Sequence, residues 1–134
     1  MMVKLPKGHD YENGALPTAE EVKTMTEFNV GLCEAGIMLS AEGLHPTSKG
    51  ARVETRNGAR VVTDGPFAET KEVLGGFWII KVGSFEEAKA IAARVPDPNI
   101  TVELRQIFDL EDFPQDVQDA FEEAHSREPL GTPA

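Results

Sequence analysis

Cysteine is almost absent from this sequence: Cys33 is the single one among 134 residues. One thiol cannot form an internal disulfide, and a zinc site built from several cysteines is excluded as well. No stretch approaches the roughly 18 consecutive apolar residues of a membrane-spanning helix, and the N-terminus lacks the basic, apolar and small-residue regions of a secretory signal peptide. These absences predict a soluble protein in the reducing cytoplasm.

Basic residues are also scarce, at 13 Lys and Arg against 23 Asp and Glu, and the formal net charge is −10. Residues 109–134 hold eight acids and one base, a net −7, which leaves −3 for residues 1–108. Because no basic stripe offsets phosphate repulsion, nucleic acid is not expected as a partner. We predict one domain over residues 1–110, followed by an acidic C-terminal helix and tail over residues 111–134.

Helix-forming patterns occur at three places in the chain. Apolar residues recur at three- and four-residue steps after two capping boxes, formed by Thr18 with Glu21 and by Ser84 with Glu87. Pro114 suits the first position of a third helix, and the residues after Arg127 are predicted to be disordered. Cys33 falls in the first helix, where a packed, unreactive thiol is expected.

Six segments around these helices carry strand patterns: Met1–Pro6, Ile37–Ala41, Arg52–Arg56, Arg60–Asp64, Gly76–Val82 and Ile100–Phe108. Two of them flank Asn57-Gly58, the strongest short hairpin signal, which sets Val53 opposite Val62. The order is therefore β-α-β, a hairpin, then β-α-β. It predicts a ferredoxin-like α+β sandwich with both long helices on one face of the sheet.

Two helices cover only one face of such a sheet, so its other face needs a cover of its own. The strand Gly76–Val82 is apolar on both sides, and the open face carries either Trp78 or Phe77 with its alternate neighbours, depending on register. Exposed apolar surface of this size is typical of an interface. We therefore predict a homodimer that packs sheet face to sheet face, and Trp78→Glu should weaken it if Trp78 lies on that face.

A tight turn at Asp64-Gly65-Pro66-Phe67 follows the predicted hairpin. Pro66 has a fixed φ and keeps Gly65 out of the α region, so Asp64 is held at the end of a strand by a rigid turn. A carboxylate in that position is a better candidate for function than one on a solvated helix face. The alternative is that Asp64 only caps the turn by bonding its own backbone.

Two stretches resemble the signature of the DGPF, or YCII-related, family: Asp64–Glu72, which reads DGPFAETKE, and residues 42–53, which read EGLHPTSKGARV. The similarity extends to Gly75-Gly76-Phe77-Trp78 and covers about residues 1–110. It implies a ferredoxin-like α+β domain that forms a dimeric α/β barrel. It assigns no biochemical role.

His45 and Asp64 are the predicted catalytic residues, and both lie at loop–strand junctions of the same half of the molecule. If they meet in one cleft, Asp64 orients the imidazole and supports its cationic form while His45 moves the proton. The alternative is that His45 is a surface residue before a proline. Both residues lie inside the two stretches that carry the resemblance.

The predicted ligand-binding residues are Ser48, Arg52, Phe67 and Lys71. Arg52 or Lys71 would attract an anionic group, Phe67 would pack in the core or floor a pocket, and Ser48 would donate a hydrogen bond. Turn-stabilising hydroxyls and solvated charges are the alternatives for this set. Glu69 and Thr70 are predicted to complete a polar rim with Lys71. The three histidines are scattered, so no metal site is expected. Gly75-Gly76 precedes a strand rather than a helix and is not a phosphate-binding loop, and no cofactor is expected.

Three functions are consistent with these residues. The first is a cofactor-free lyase or isomerase that acts on a small anionic or cyclic substrate. The second is a small-ligand-binding or regulatory protein, and the resemblance allows a link to transcription initiation. The third is a stress or accessory dimer whose acidic tail recruits a partner. The expected partners are a second copy of the chain and a small molecule, with neither nucleic acid nor a membrane.

Overall fold

The computed structural model describes residues 1–6, 9–68 and 71–127. In these ranges the elements are β1 (Met2–Pro6), α1 (Ala19–Glu34), β2 (Met38–Gly43), β3 (Ala51–Arg56), β4 (Ala59–Asp64), β5 (Glu72–Ile80), α2 (Phe85–Ala92), β6 (Thr101–Glu103) and α3 (Gln115–His125). Short 3₁₀ turns occur at Asp10–Asn13, Thr47–Lys49 and Leu110–Asp112. Within the same ranges, no helix has both the length and the apolar character needed to cross a membrane.

Four strands form one antiparallel sheet in the order β2-β5-β1-β6, and β3 with β4 forms a separate two-stranded sheet. This mixed α+β arrangement is compatible with the predicted ferredoxin-like fold. The strands of the described chain do not close into a barrel. The dimeric barrel implied by the family resemblance therefore stays a prediction, because it needs a second copy.

The first helix begins as its sequence predicts. Thr18 Oγ1 accepts the Glu21 N–H at 3.2 Å, and the Glu21 carboxylate accepts the Thr18 N–H at 2.7 Å. At α2 only one of the two hydrogen bonds of the predicted capping box is present. Ser84 Oγ accepts the Glu87 N–H at 3.2 Å, but the Glu87 carboxylate accepts the Gly83 N–H at 3.0 Å. The side-chain cap that starts α2 is nevertheless the predicted one.

Trp78 lies on the helix side of the sheet, in the core. Its ring meets Phe28 of α1 edge to face, with centroids 6.2 Å apart, and its Nε1–H donates to Asn29 Oδ1 at 2.8 Å. Buried Leu32 and Ile91 complete the centre of this core. Because side chains alternate along β5, Phe77 points to the opposite face. The prediction that Trp78→Glu weakens a dimer required Trp78 to lie on the open face, so it does not apply. A substitution at Trp78 tests the core instead.

The open face of the sheet carries both apolar and charged side chains. Phe77 pairs with Met2 across β1, and Leu74 is 43% exposed. Lys4 Nζ lies 2.6 Å from a Glu72 carboxylate oxygen and 3.3 Å from one of Glu103. These two hydrogen bonds raise the pKa of Lys4. The predicted homodimer would cover this face.

The last strand is shorter than its alternating pattern predicts. Residues 100–108 alternate, yet β6 spans only Thr101–Glu103, because its ladder with β1 covers Met2–Lys4 and then stops. By contrast, β5 begins four residues before the predicted Gly76, because its ladder with β1 reaches Glu72. Strand ends here depend on the partner strand rather than on local composition.

Cys33 is exposed on α1, so the expectation of a packed thiol was wrong. The neighbouring Leu32 faces the core at 3% exposure, and a helix turns adjacent residues by about 100°. The predicted third helix is present as α3, directly after Pro114. The prediction for the residues after Arg127 falls on residues 128–134, which lie outside the described ranges.

Candidate functional site

Asp64 is the last residue of β4 and lies at the open end of the β3–β4 hairpin. Asn57 and Gly58 both have positive φ, at 50° and 77°, which is the backbone of the predicted tight turn. The register is also the predicted one, with Val53 opposite Val62. Asp64 consequently pairs with Ala51, directly after the loop that follows β2. The two stretches that carry the family resemblance meet here.

Thr47 holds that meeting point together. Its Oγ1 donates to Glu12 Oε2 at 2.6 Å, and its backbone N–H donates to Glu12 Oε1 at 2.9 Å. The same hydroxyl accepts the Phe67 N–H at 3.4 Å. One threonine therefore joins the turn at Asp10–Asn13, the loop after β2 and the turn after β4.

Gly65 is required for this contact because the two backbones approach closely. A Cβ at Gly65 would lie 1.7 Å from the Thr47 carbonyl oxygen and 3.4 Å from that of Gly50. The Gly65 N–H donates to the Gly50 carbonyl at 2.9 Å, and the Gly65–Pro66 peptide bond is cis. Position 65 therefore requires a glycine, because a side chain there would overlap with the backbone of Thr47.

Arg52 and Phe67 are brought together by the same geometry. The guanidinium carbon of Arg52 lies 3.9 Å from the centroid of the Phe67 ring, within the range of a cation–π contact. Both side chains are half-buried. The two form a surface with a positive charge on an aromatic face, and they are the predicted binding residues that the structure joins most directly.

His45 and Asp64 are both exposed, and no hydrogen bond or ion pair joins them within residues 1–6, 9–68 and 71–127. Ser48 and Lys71 are exposed as well, whereas Glu69 and Thr70 lie outside the described residues. His45, Asp64 and these two polar residues remain predictions. In the described part of the chain, no group of three or more His, Cys, Asp and Glu side chains is placed to hold a metal ion.

Glu12 and its neighbour Tyr11 also belong to this region. Neither was predicted as a site residue, because the sequence indicates only a loop there. Glu12 reaches Thr47 across 35 positions of the chain, and no local pattern signals such a contact. The Tyr11 hydroxyl is enclosed and has no hydrogen-bond partner among the described protein residues. Burial raises the pKa of Tyr11, and the negative charge of Glu12 raises it further.

Alkaline titration of Tyr11 provides a direct check of this packing. Tyr11 is the single tyrosine of the sequence, so tyrosinate absorbance reports on it alone. Its pKa is raised in the folded state, so the stability that Tyr11 contributes is complete below its unfolded pKa of about 10 and is lost as pH rises through the folded pKa. We expect the absorbance midpoint of the folded protein to lie above that of the protein in denaturant. Equal midpoints would contradict the enclosed position.

The site can be described chemically as a rigid frame with a charged rim. Backbone and side-chain hydrogen bonds fix Thr47 and Gly65, and Arg52 lies on the aromatic face of Phe67. The exposed imidazole of His45 and the exposed carboxylate of Asp64 belong to the two joined segments. In the described structure this arrangement presents a positive charge on an aromatic face rather than a preformed acid–base pair.

Comparison with known proteins identifies the family of this chain. The model of the YCII-related domain matches residues 8–111. An uncharacterized protein of Rhizobium meliloti (strain 1021) is 41% identical over 66 residues, which is 49% of this chain and 53% of that protein. The aligned stretch thus spans about half the length of this curated relative. Because the domain match covers more than half of the chain and includes both joined segments, the chain belongs to the YCII-related domain family.

Proposed function

We propose that this protein is a small homodimeric binding protein whose site lies between the loop after β2 and the turn after β4. The observation that carries the proposal is the connection made by Thr47. Its side chain bonds to Glu12 at 2.6 Å and to the Phe67 amide at 3.4 Å, so two long loops share one fixed frame. A fixed frame lowers the entropic cost of ordering loops when a ligand binds.

The ligand class follows from the side chains on that frame. Arg52 supplies a positive charge 3.9 Å from the Phe67 ring centroid, and Lys71 supplies an exposed amine directly before β5. Guanidinium groups recognise planar carboxylates, and a guanidinium stacked on an aromatic ring offers its own flat outer face to a planar ligand. We infer a small, anionic, cyclic ligand for this site.

Acid–base catalysis is a second candidate function, and the fixed backbone position of Asp64 favours it. Asp64 precedes Gly65, whose amide is held by the Gly50 carbonyl at 2.9 Å. A lyase or isomerase reaction would need His45 to come within reach of Asp64 once a substrate is present. Binding without turnover would instead suit a regulatory or accessory protein.

Benzoate and benzamide together test the proposed binding function. Both are small and cyclic, but only benzoate is anionic, so we expect isothermal titration calorimetry to detect benzoate and no comparable binding of benzamide. Arg52→Gln should weaken benzoate binding about tenfold or more, because a charge-assisted contact is lost. Asp64→Asn should strengthen it, because a like charge leaves the rim of the site.

Arg56→Gln is the matched control, since Arg56 lies near the hairpin turn and pairs with Glu54 at 2.9 Å. Its benzoate affinity should equal that of the parent protein. Equal affinities for the two probes, or equal losses in the Arg52 and Arg56 variants, would count against the site. An affinity unchanged by Asp64→Asn would show that the Asp64 carboxylate has only a structural role.

A further inference from the structure

The last part of the described chain forms an organised arm with an exposed apolar surface. We define the C-terminal arm as residues 107–127. The Phe113 ring lies 4.9 Å from that of Phe108 and 5.2 Å from that of Phe121, measured between centroids. Phe108 is nevertheless 72% exposed. The cluster borders a groove of about 400 Å³ lined by Phe108, Leu110, Phe113, Phe121, Glu122 and His125.

The outer face of the β3–β4 hairpin is a second exposed apolar surface. Val53 and Val62 pair across the two strands and are 52% and 63% exposed. Alternation places Arg60 on the same face, two residues from Val62. The opposite face of the hairpin carries Arg52, which contacts Phe67. A two-stranded hairpin is marginally stable alone in water, so a cover over Val53 and Val62 would stabilise it.

The C-terminal arm is acidic, and the outer hairpin face carries an arginine beside its exposed valines. Residues 109–127 carry seven acids and one base, a net −6. On the outer hairpin face, alternation places Arg60 beside Val62 and Asp64 at the end of the strand, whereas the charged residues of β3 lie on the opposite face. Glu122 lines the groove of the arm. Arg60 donates to Thr55 Oγ1 at 3.2 Å and has no ion pair with a described carboxylate. Its positive charge is therefore available beside the exposed valines.

We propose that the C-terminal arm of one copy binds the outer hairpin face of a second copy. Val62 enters the groove beside Phe108 and Phe121, and Arg60 pairs with Glu122. Within the described part of one chain, α3 makes no extensive packing contact with the hairpin, which favours a contact between copies. In a two-fold dimer the contact forms twice.

This contact adds to the proposed homodimer and does not depend on a ligand. The covered face of the hairpin ends at Asp64, whereas Arg52 lies on the opposite face, so the arm of the partner would reach the Asp64 side of the proposed binding site. Its acidic side chains would place negative charge near that site. The second copy would thereby help to select which anions enter.

A charge swap tests the proposed ion pair. Sedimentation equilibrium should show that Arg60→Glu and Glu122→Lys each raise the dimer dissociation constant at least about tenfold, because each places like charges together. The double variant should return it to near the parent value. Arg56→Glu, on the other face of the hairpin, is the control and should change the constant less than about threefold.

Mixed cysteine variants test whether the contact joins two copies. In a Cys33→Ser background, isotopically labelled Val62→Cys protein is mixed with unlabelled Phe108→Cys protein and oxidised. Mass spectrometry should find the mixed disulfide in excess over either symmetric one. Only symmetric or no disulfides, or no recovery in the charge swap, would overturn the contact. If the parent still has a dimer mass and binds benzoate, the proposed function would stand without it.

Discussion

Gly65→Ala is expected to lower the free energy of unfolding by about 3 kcal/mol or more. The added Cβ would lie 1.7 Å from the Thr47 carbonyl oxygen, and that neighbour is backbone, so no side-chain rotation can relieve the overlap. One of the two loops must move. The Gly65–Gly50 and Phe67–Thr47 hydrogen bonds, at 2.9 and 3.4 Å, would then lengthen or break. Urea unfolding followed by the fluorescence of the single tryptophan measures the change.

Gly43→Ala is the matched control for this prediction. It lies at the end of β2, and a Cβ there would meet nothing within 4 Å. The same change of one methyl group should therefore alter stability by no more than about 0.5 kcal/mol. If the two variants unfold at the same urea concentration, the close approach at Gly65 is not a constraint. Benzoate binding should weaken in the Gly65 variant alone, because only that variant displaces the frame of the proposed site.

Trp78→Ala is expected to cost about 3–5 kcal/mol, whereas Phe77→Ala should cost much less and weaken the dimer instead. Trp78 is 6% exposed, packs edge to face on Phe28 and donates to Asn29 at 2.8 Å. Its removal leaves a cavity in the core and an unpaired amide oxygen. Phe77 lies on the open face, where it would contact the second copy.

The contrast between these adjacent residues separates the core from the interface. Far-ultraviolet circular dichroism in urea reports the stability of both variants, since one of them lacks the tryptophan. Light scattering at micromolar concentration reports their mass. A dimer unaffected by Phe77→Ala would argue that the open face is not the interface. Equal losses of stability at the two positions would contradict the placement of Trp78 alone in the core.

Several parts of the fold were readable from the sequence because their contacts are local. The cap of α1 is completed between Thr18 and Glu21, within one helical turn. The hairpin register follows from Asn57-Gly58, since two residues with positive φ permit one tight turn and that turn sets every pair up to Ala51 with Asp64. The element order and both family segments were likewise readable without any knowledge of long-range contacts.

The candidate site was only partly predictable. Arg52 and Phe67 lie within the segments that carry the family signature, and the structure places them in contact. The contact of Glu12 with Thr47 links positions 35 apart, and a short acidic turn is common in any soluble protein. From the sequence, Pro66 was expected to restrict the backbone of Gly65, but the need for a glycine at this position follows only from the close approach of Thr47.

By itself, the sequence determined the elements, the hairpin register and the family of this protein, since each depends on residues within a few positions of one another. Tertiary structure alone decided that Trp78 rather than Phe77 faces the helices and that β6 ends at Glu103. Both sides of β5 are apolar, and strand propensity continues past residue 103, so neither answer is encoded locally. They follow from which helix covers the sheet and from where the neighbouring ladder stops.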